Sequence, residues 1–342
     1  MSMSTISIAG RKVGENAPAF VLAEVASAHQ GEAVQALALA KLAGAAGADA
    51  VKFQLFRARD LIAPNDPRFS TFQQIELSLS DWDQVLTESR SLGLAIFGEL
   101  FDRESLELAE RHELAAYKIH STDIENPEFI RAVAATGKPV LLATGGSGLG
   151  SVEAAIEVAR TEGNDQLMLL HGVQNFPTRI EDSHLRFIAT LKSTFGLPVG
   201  FLDHVDGGSA MAIVLPALAV AFGADLVEKH ITLDRRAKGF DYESALEKDV
   251  FASMVELIRD SEKAFGIPKL PSGASASRYH RLMRRAILSR VELKKGEPVT
   301  RDKLAFLRCE TGLPPYDAPR LLGRKPRGDV APWEPLSEDL FE

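Results

Sequence analysis

Residues 116–143 read AYKIHSTDIENPEFIRAVAATGKPVLLA. Two short apolar runs, Ala116 to Ile119 and Pro139 to Ala143, flank Pro127 to Thr136, a stretch long enough for a helix that crosses from one strand to the next. The runs are apolar with little alternation, the pattern of strands covered on both faces. Together the three segments make one βαβ unit.

The unit repeats in both directions. Toward the N-terminus come Phe20 to Val25, the Ala-rich stretch Glu32 to Ala46, and Ala50 to Gln54. After a longer polar connection follow a helical pattern at Trp82 to Leu92, the run Leu94 to Phe97 and the helix-length Arg103 to Arg111. Toward the C-terminus, Leu167 to His171, Pro198 to Leu202 and Leu226 to Lys229 each follow a helix-length segment. Eight such strands in about 250 residues predict a closed (β/α)8 TIM barrel. A doubly wound open sheet is the rival fold, but no Gly-rich dinucleotide fingerprint follows the first strand.

The barrel is expected over residues 1–265, closing with a helix over Val250 to Lys263. Residues 266–280, with Pro268, Pro271, Gly273 and several serines, suit a linker better than a helix. Residues 281–342 carry short runs such as Ala286 to Leu288 and Leu304 to Leu307, punctuated by Gly296, Gly312, Pro314, Pro315 and Gly323. They predict a small β-rich domain near the lower size limit for independent stability, one that leans on the barrel or on another subunit.

Composition narrows the function. Of 342 residues, 45% are hydrophobic and 25% charged, which excludes disorder and fibrous architecture for most of the length. Lys and Arg number 39 against 47 Asp and Glu, a formal charge of -8, so no nucleic-acid surface is expected. The single cysteine, Cys309, cannot form an intramolecular disulfide. With no basic leader at the start and no 18-residue apolar run, the expectation is a soluble cytoplasmic protein without membrane contact.

In a (β/α)8 barrel, groups just past the C-terminal strand ends converge on one mouth. Here Glu24 ends the first strand with His29 in its loop, and Lys52 and Gln54 end the second. Lys118 and Ser121, followed by Asp123, end the fourth, and His171 the sixth. Asp203 and His204 end the seventh, and Glu228 and His230 the eighth. Lys52 and Lys118 each interrupt an apolar run, and a buried ammonium without an anionic partner is costly. Two readings stand: internal ion pairs with Glu24 or Glu228, or a phosphate pocket to which Ser121 adds a hydroxyl donor.

His204 and His230, at equivalent places on adjacent strands, are candidates to share a divalent metal, with Glu24 or another carboxylate completing the shell. An oxygen-rich remainder favours Mn²⁺ or Mg²⁺. Asp203 either orients His204 or anchors a loop; Glu228 is a candidate for orienting substrate or moving a proton. Asp241, in the turn that begins at Lys238, either reaches a polyol over the mouth or is a simple loop carboxylate. The run from Thr144 to Gly148 offers backbone donors to an anion, although no GK[ST] follows it.

These residues lie in stretches that resemble the N-acetylneuraminate (sialic acid) synthase family. The stretches are AEVASAHQG at Ala23 to Gly31, VKFQ at Val51 to Gln54, KIHSTDIENP at Lys118 to Pro127 and ATGG at Ala143 to Gly146. They continue with HGVQNFPT at His171 to Thr178, GFLDHVDGG at Gly200 to Gly208 and, most specific, GADLVEKHITLDRRAKGFD at Gly223 to Asp241. KKGEPVT at Lys294 to Thr300, LRCETGLPP at Leu307 to Pro315 and LLGRK at Leu321 to Lys325 are similar to the antifreeze-like (SAF) domain attached to these synthases.

The resemblance implies an enzyme that condenses phosphoenolpyruvate with an N-acylated amino-sugar aldehyde and water to give a nonulosonic acid and phosphate. The acceptor it implies is N-acetylmannosamine or a deoxy-diamino relative. It places metal ligands on His204 and His230, and catalytic roles on Glu24, Lys118, Asp123 and Glu228. Lys52, Lys118 and Ser121 resemble the group around phosphoenolpyruvate, with Gln54, Thr144 and Asp203 as further substrate contacts. Gln174, Phe176 and Asp241 fall in the sugar-binding positions. Arg308 would cross a domain-swapped homodimer to reach the sugar's acyl group.

Several positions depart from the family pattern. Gly98, Glu99, Leu100 and Phe101 stand where the family commonly has Ser-Thr-Pro-Phe, and Ala143 and Leu202 replace serines. Hydroxyl groups near the expected phosphate are lost, and Glu99 adds a negative charge there. Gln174 and Phe176 replace an asparagine and a tyrosine, Asp123 a glutamate, and Cys309 a proline. Two alternatives therefore remain: a metal-dependent barrel aldolase or lyase, and a non-catalytic sugar-binding homologue.

Overall fold

The apolar runs form eight parallel strands, and the last pairs with the first to close a barrel. The computed structural model describes residues 4–14, 16–267, 269–270 and 273–342. Two units result, Met1–Gly266 and Ile267–Glu342; Pro268 and Pro271 of the expected linker lie outside the described residues.

The first unit begins with a hairpin of β1 (Thr5–Ile8) and β2 (Arg11–Gly14). Its two-residue turn places Ala9 and Gly10 at positive φ, as a tight hairpin of this twist requires. The barrel then comprises β3 (Phe20–Glu24), β4 (Ala50–Leu55), β5 (Ala95–Leu100), β6 (Ala116–Ile119), β7 (Val140–Ala143), β8 (Leu167–His171), β9 (Val199–Asp203) and β10 (Leu226–His230). Closure pairs Leu226 with Phe20 and His230 with Glu24.

Crossover helices start where side chains satisfy the first free backbone N–H groups. Ser78 and Asp81 form a capping box for Leu79–Arg90. Asp102 accepts from the Ser105 N–H at 2.7 Å, and Asn126 from the Phe129 N–H at 3.2 Å, with Pro127 at the first turn. Outward strand residues such as Val51, Phe53, Tyr117 and Val227 pack on the helices in one continuous core.

Inward residues form a separate core. Phe20, Leu22, Ala50, Phe97, Ala116, Leu141, Met168, Leu170 and Leu226 fill the interior, and Ile6, Ile8 and Val13 of the hairpin pack against them. The hairpin, which sequence reading did not anticipate, thus contributes to the barrel's inner apolar cluster. Ala143 and Leu202, the two residues standing for family serines, belong to this same cluster.

The second unit has one two-stranded antiparallel sheet, β11 (Arg285–Ser289) with β12 (Leu304–Arg308). Isolated bridges such as Leu293 to Val330 and Pro326 to Phe341 hold the rest around Ile287, Leu304, Leu321, Leu336 and Phe341. Regular strand is sparser than a β-rich domain suggests, because prolines and glycines interrupt the ladders. The stretch expected as a linker carries a helix over Ala274–Met283. Alanine, arginine, leucine and methionine supply helix propensity there, which the neighbouring prolines and glycine masked.

Candidate active site

Period-two alternation carries the inward face of each strand from apolar side chains below to charged ones above. On β3, Phe20 and Leu22 are followed by Glu24. On β4, Ala50 is followed by Lys52 and Gln54, on β6 Ala116 by Lys118, and on β10 Leu226 by Glu228 and His230. The same rule extends β5 past Phe97 to Glu99. Sequence reading ended that strand at Phe97 and left Glu99 out of the site; continued alternation was the signal that could have found it.

Register joins these groups. Glu24 lies beside Lys52, Gln54 beside Glu99 and Glu99 beside Lys118. Lys52 Nζ stands 2.8 Å from both Glu99 Oε2 and Glu228 Oε1, and also contacts Glu24 Oε2. Lys118 Nζ lies 2.8 Å from Glu228 Oε1 and 3.2 Å from Glu99 Oε1. Gln54 Nε2 donates to Glu99 Oε2 at 3.3 Å. All five charged side chains are buried. The ion-pair alternative for the two lysines is therefore present in this structure, with Glu99 as an additional partner.

Three carboxyl groups face two ammonium groups, so charge balance calls for one retained proton. Burial pushes the Glu24 carboxyl up to about 8 against the opposing pull of Lys52, so Glu24 holds that proton at neutral pH. Burial also acts to raise Glu99 and Glu228, but Lys118 and Lys52 outweigh it and hold both below the usual carboxylate range. For Lys52, burial favours loss of the proton, yet Glu228, Glu24 and Glu99 raise it well above an ordinary lysine.

His204 and His230 follow at the strand ends with ring centroids 5.0 Å apart. Burial holds His204 down at about 3, and burial together with His204 depresses His230, so both imidazoles are neutral and can act as nitrogen donors. Nδ1 of each and Glu228 Oε2 are buried without a hydrogen-bond partner. Among the described residues, no group of three or more His, Cys, Asp or Glu is placed to hold a metal ion. The donor set fits a divalent ion bound by two imidazoles, the remaining positions going to water and substrate oxygens.

A cleft of about 590 Å³ opens at this mouth, lined in part by Gln54, Asp123, Gln174, Phe176, His230 and Asp241. The Phe176 ring stands edge-on to His204 and His230 at 5.0 and 5.8 Å. Asp241 Oδ2 accepts from the Ser27 N–H at 2.9 Å, and burial raises its pKa. Ser121 Oγ donates to Gln174 Oε1 at 2.7 Å, its hydrogen bond directed to the cleft wall and not to the lysines. Asp123 accepts from Thr122 and Asn126.

Two expected contacts sit elsewhere. Asp203 faces outward and pairs with Lys229 Nζ at 2.9 Å while accepting from the Val205 N–H, which favours the loop-anchoring reading over one of substrate contact. Thr144 donates to the Leu170 carbonyl and lines a second cleft of about 630 Å³ with Gly145, Gly146, His171 and Arg186. None of the lysine cluster lines that second cleft. Arg308 ends β12 in the second unit and is exposed. Sequence reading also passed over Asp60, Arg68 and Phe72, which line the mouth cleft. Asp60 and Phe72 stand on short helices, Ala58–Leu61 and Phe69–Ile75, inside what read as a polar connection.

Comparison with known proteins decides the family. A model of the NeuB family matches residues 39–269. The chain belongs to the NeuB family. N,N'-diacetyllegionaminic acid synthase of Legionella pneumophila is 32% identical over 91% of this chain and 91% of that protein. The uncharacterized protein MJ1065 of Methanocaldococcus jannaschii is 33% identical over 98% of this chain and all of its own length. Among solved structures, the N-acetylneuraminic acid synthetase of Leptospira borgpetersenii superposes with a TM-score of 0.75 at 30% identity, covering 82% of this chain and 98% of that one. The NeuB chain described here thus shares its barrel and most of its length with sialic-acid-type synthases.

Proposed function

We propose that this chain condenses phosphoenolpyruvate with an N-acylated amino-sugar aldehyde and water, releasing phosphate and a nonulosonic acid. The observation that carries the reading is the cluster of Lys52, Lys118, Glu24 and Glu228 beside His204 and His230, in a NeuB-family barrel.

The lysines hold the donor's anionic groups so that its C3 faces the aldehyde carbon, which turns an encounter into an oriented attack. Glu24, protonated at neutral pH, gives its proton to the alkoxide that forms as the carbon–carbon bond closes. Water adds at C2 and Glu228, ionised and with Oε2 free, takes the proton. The tetrahedral intermediate then loses phosphate by cleavage of its C2–O bond, the C2 hydroxyl passing its proton to the departing phosphate as the ketone forms. Asp123, Gln174, Phe176 and Asp241 line the space for the sugar. A divalent ion held by His204 and His230, Mn²⁺ or Mg²⁺, would polarise the aldehyde oxygen.

The same reading makes the second unit an SAF-type domain and the working form a cytoplasmic homodimer in which Arg308 reaches the partner's sugar site. Among the described residues no helix is long and apolar enough to cross a membrane.

A second reading, an aldolase using an unphosphorylated keto acid, draws on Glu99 beside both lysines and on the apolar Ala143 and Leu202. One experiment separates them. The metal-loaded protein is incubated with phosphoenolpyruvate or, separately, pyruvate, together with a panel of N-acylated hexosamines and deoxy-diamino relatives, and phosphate and product mass are followed together. Phosphate release matched to a product three carbons longer than the acceptor supports the synthase. A product formed from pyruvate without phosphate supports the aldolase, and ligand binding without turnover a sugar-binding homologue.

A further inference from the structure

An anion seat made of two lysines should present its ammonium groups to the cleft, yet neither Lys52 nor Lys118 lines it. Both are buried, and the Glu99 carboxylate lies between them, Oε2 at 2.8 Å from Lys52 and Oε1 at 3.2 Å from Lys118. Glu228 Oε1 also lies 2.8 Å from both lysines but leaves Oε2 free, whereas Glu99 sets one oxygen on each lysine, as a carboxylate ligand bridging two cations does, with Gln54 adding a donor to Oε2. Glu99 is also held by the sheet itself, in register with Gln54 on one side and Lys118 on the other. Ala143 and Leu202, in the barrel's inner apolar cluster, offer no polar group that could hold an incoming anion in place of the lysines.

We infer that Glu99 is a built-in occupant of the lysine seat and sets which donor anion the site accepts: a small carboxylate- or phosphate-bearing donor binds only by displacing it. This inference rests on the reading of Lys52 and Lys118 as the donor seat. It makes Glu99 a specificity-determining residue, one that weakens the hold on multiply charged donors because its own charge remains beside them.

The test compares wild type with Glu99→Gln, measuring affinity for phosphoenolpyruvate and inorganic phosphate by calorimetry at fixed ionic strength. Gln keeps the shape and removes the charge, and both lysines keep Glu228 Oε1 as a partner at 2.8 Å, so the variant should fold. Affinity for phosphoenolpyruvate should rise on the order of ten- to a hundredfold, as expected for removing a charge a few ångströms away at intermediate dielectric. Unchanged or weaker binding of both anions in Glu99→Gln overturns the inference.

Glu99→Ser is the second variant. If either variant unfolds, refolding on addition of phosphate supports the occupant role, and unfolding whatever the anion overturns it. The two readings fail separately. Wild type and Glu99→Gln that bind phosphoenolpyruvate equally defeat the occupant alone. Tight phosphate binding by Glu99→Gln, with phosphoenolpyruvate ignored by both proteins, upholds the occupant and defeats the donor assignment.

Discussion

Lys52 Nζ and Glu99 Oε2 stand 2.8 Å apart on adjacent strands, and both side chains are closed off from water. Removing one member of a buried ion pair typically costs about 3–5 kcal/mol, because the other charge is stranded. Lys52→Met, which leaves three carboxyls facing a single ammonium, is expected to lose about that much. Glu99→Gln costs less, since both lysines keep Glu228, and the double variant should be more stable than the two losses added, with a coupling on the order of 1–3 kcal/mol. Urea unfolding of all four proteins measures it, and strictly additive losses would show that the pair is not coupled.

Stability should also respond to pH through Glu24. Its folded pKa of about 8 lies above the ordinary glutamate value of 4.5, so between those values the native state keeps a proton that the unfolded chain has released. The contribution is fully present below pH 4.5 and is lost as pH rises through about 8. Glu24→Gln removes it. The stability of Glu24→Gln relative to wild type is therefore expected to rise steadily across that window. Other groups titrate there as well, but they are common to both proteins and cancel in the difference. Parallel stability curves would contradict a protonated Glu24.

The paired, unprotonated imidazoles predict metal dependence. Chelation is expected to abolish activity and Mn²⁺ or Mg²⁺ to restore it, while His204→Ala and His230→Ala each weaken Mn²⁺ binding by at least about tenfold. Calorimetry with the metal alone supplies the readout. Full activity in rigorously metal-free protein would remove the assignment.

For Arg308 the prediction concerns subunits. His204→Ala and Arg308→Ala proteins should each be nearly inactive alone. Equal mixing with subunit exchange makes half the dimers mixed, each with one intact composite site, so activity should recover to about a quarter of wild type. Confirmed exchange without recovery would count against a site shared between subunits.

Most of the barrel could be read in the chain because its signal is local. A strand buried on both faces must be apolar throughout, and a crossover helix must be long enough to return. Ala116–Ile119, Arg103–Arg111 and Leu167–His171 therefore stand where their residues put them. Strand-end positions of Lys52, Lys118, His204 and His230 followed from the same pattern. The hairpin at Thr5–Ile8 and Arg11–Gly14 was not legible, since its four-residue strands earn their stability by packing on the barrel's inner core.

What only the tertiary structure decided is which charges meet. Asp203 and His204 are neighbours in sequence, yet alternation turns Asp203 outward to Lys229 and leaves His204 beside His230. Glu99, one residue past a glycine that looked like a strand end, is carried inward by the continuing pleat and set between two lysines from the strands on either side. The sequence determined that carboxylates and ammonium groups would crowd one end of the barrel. Their pairing depended on register between strands far apart in the chain, and register follows from closing the sheet on itself.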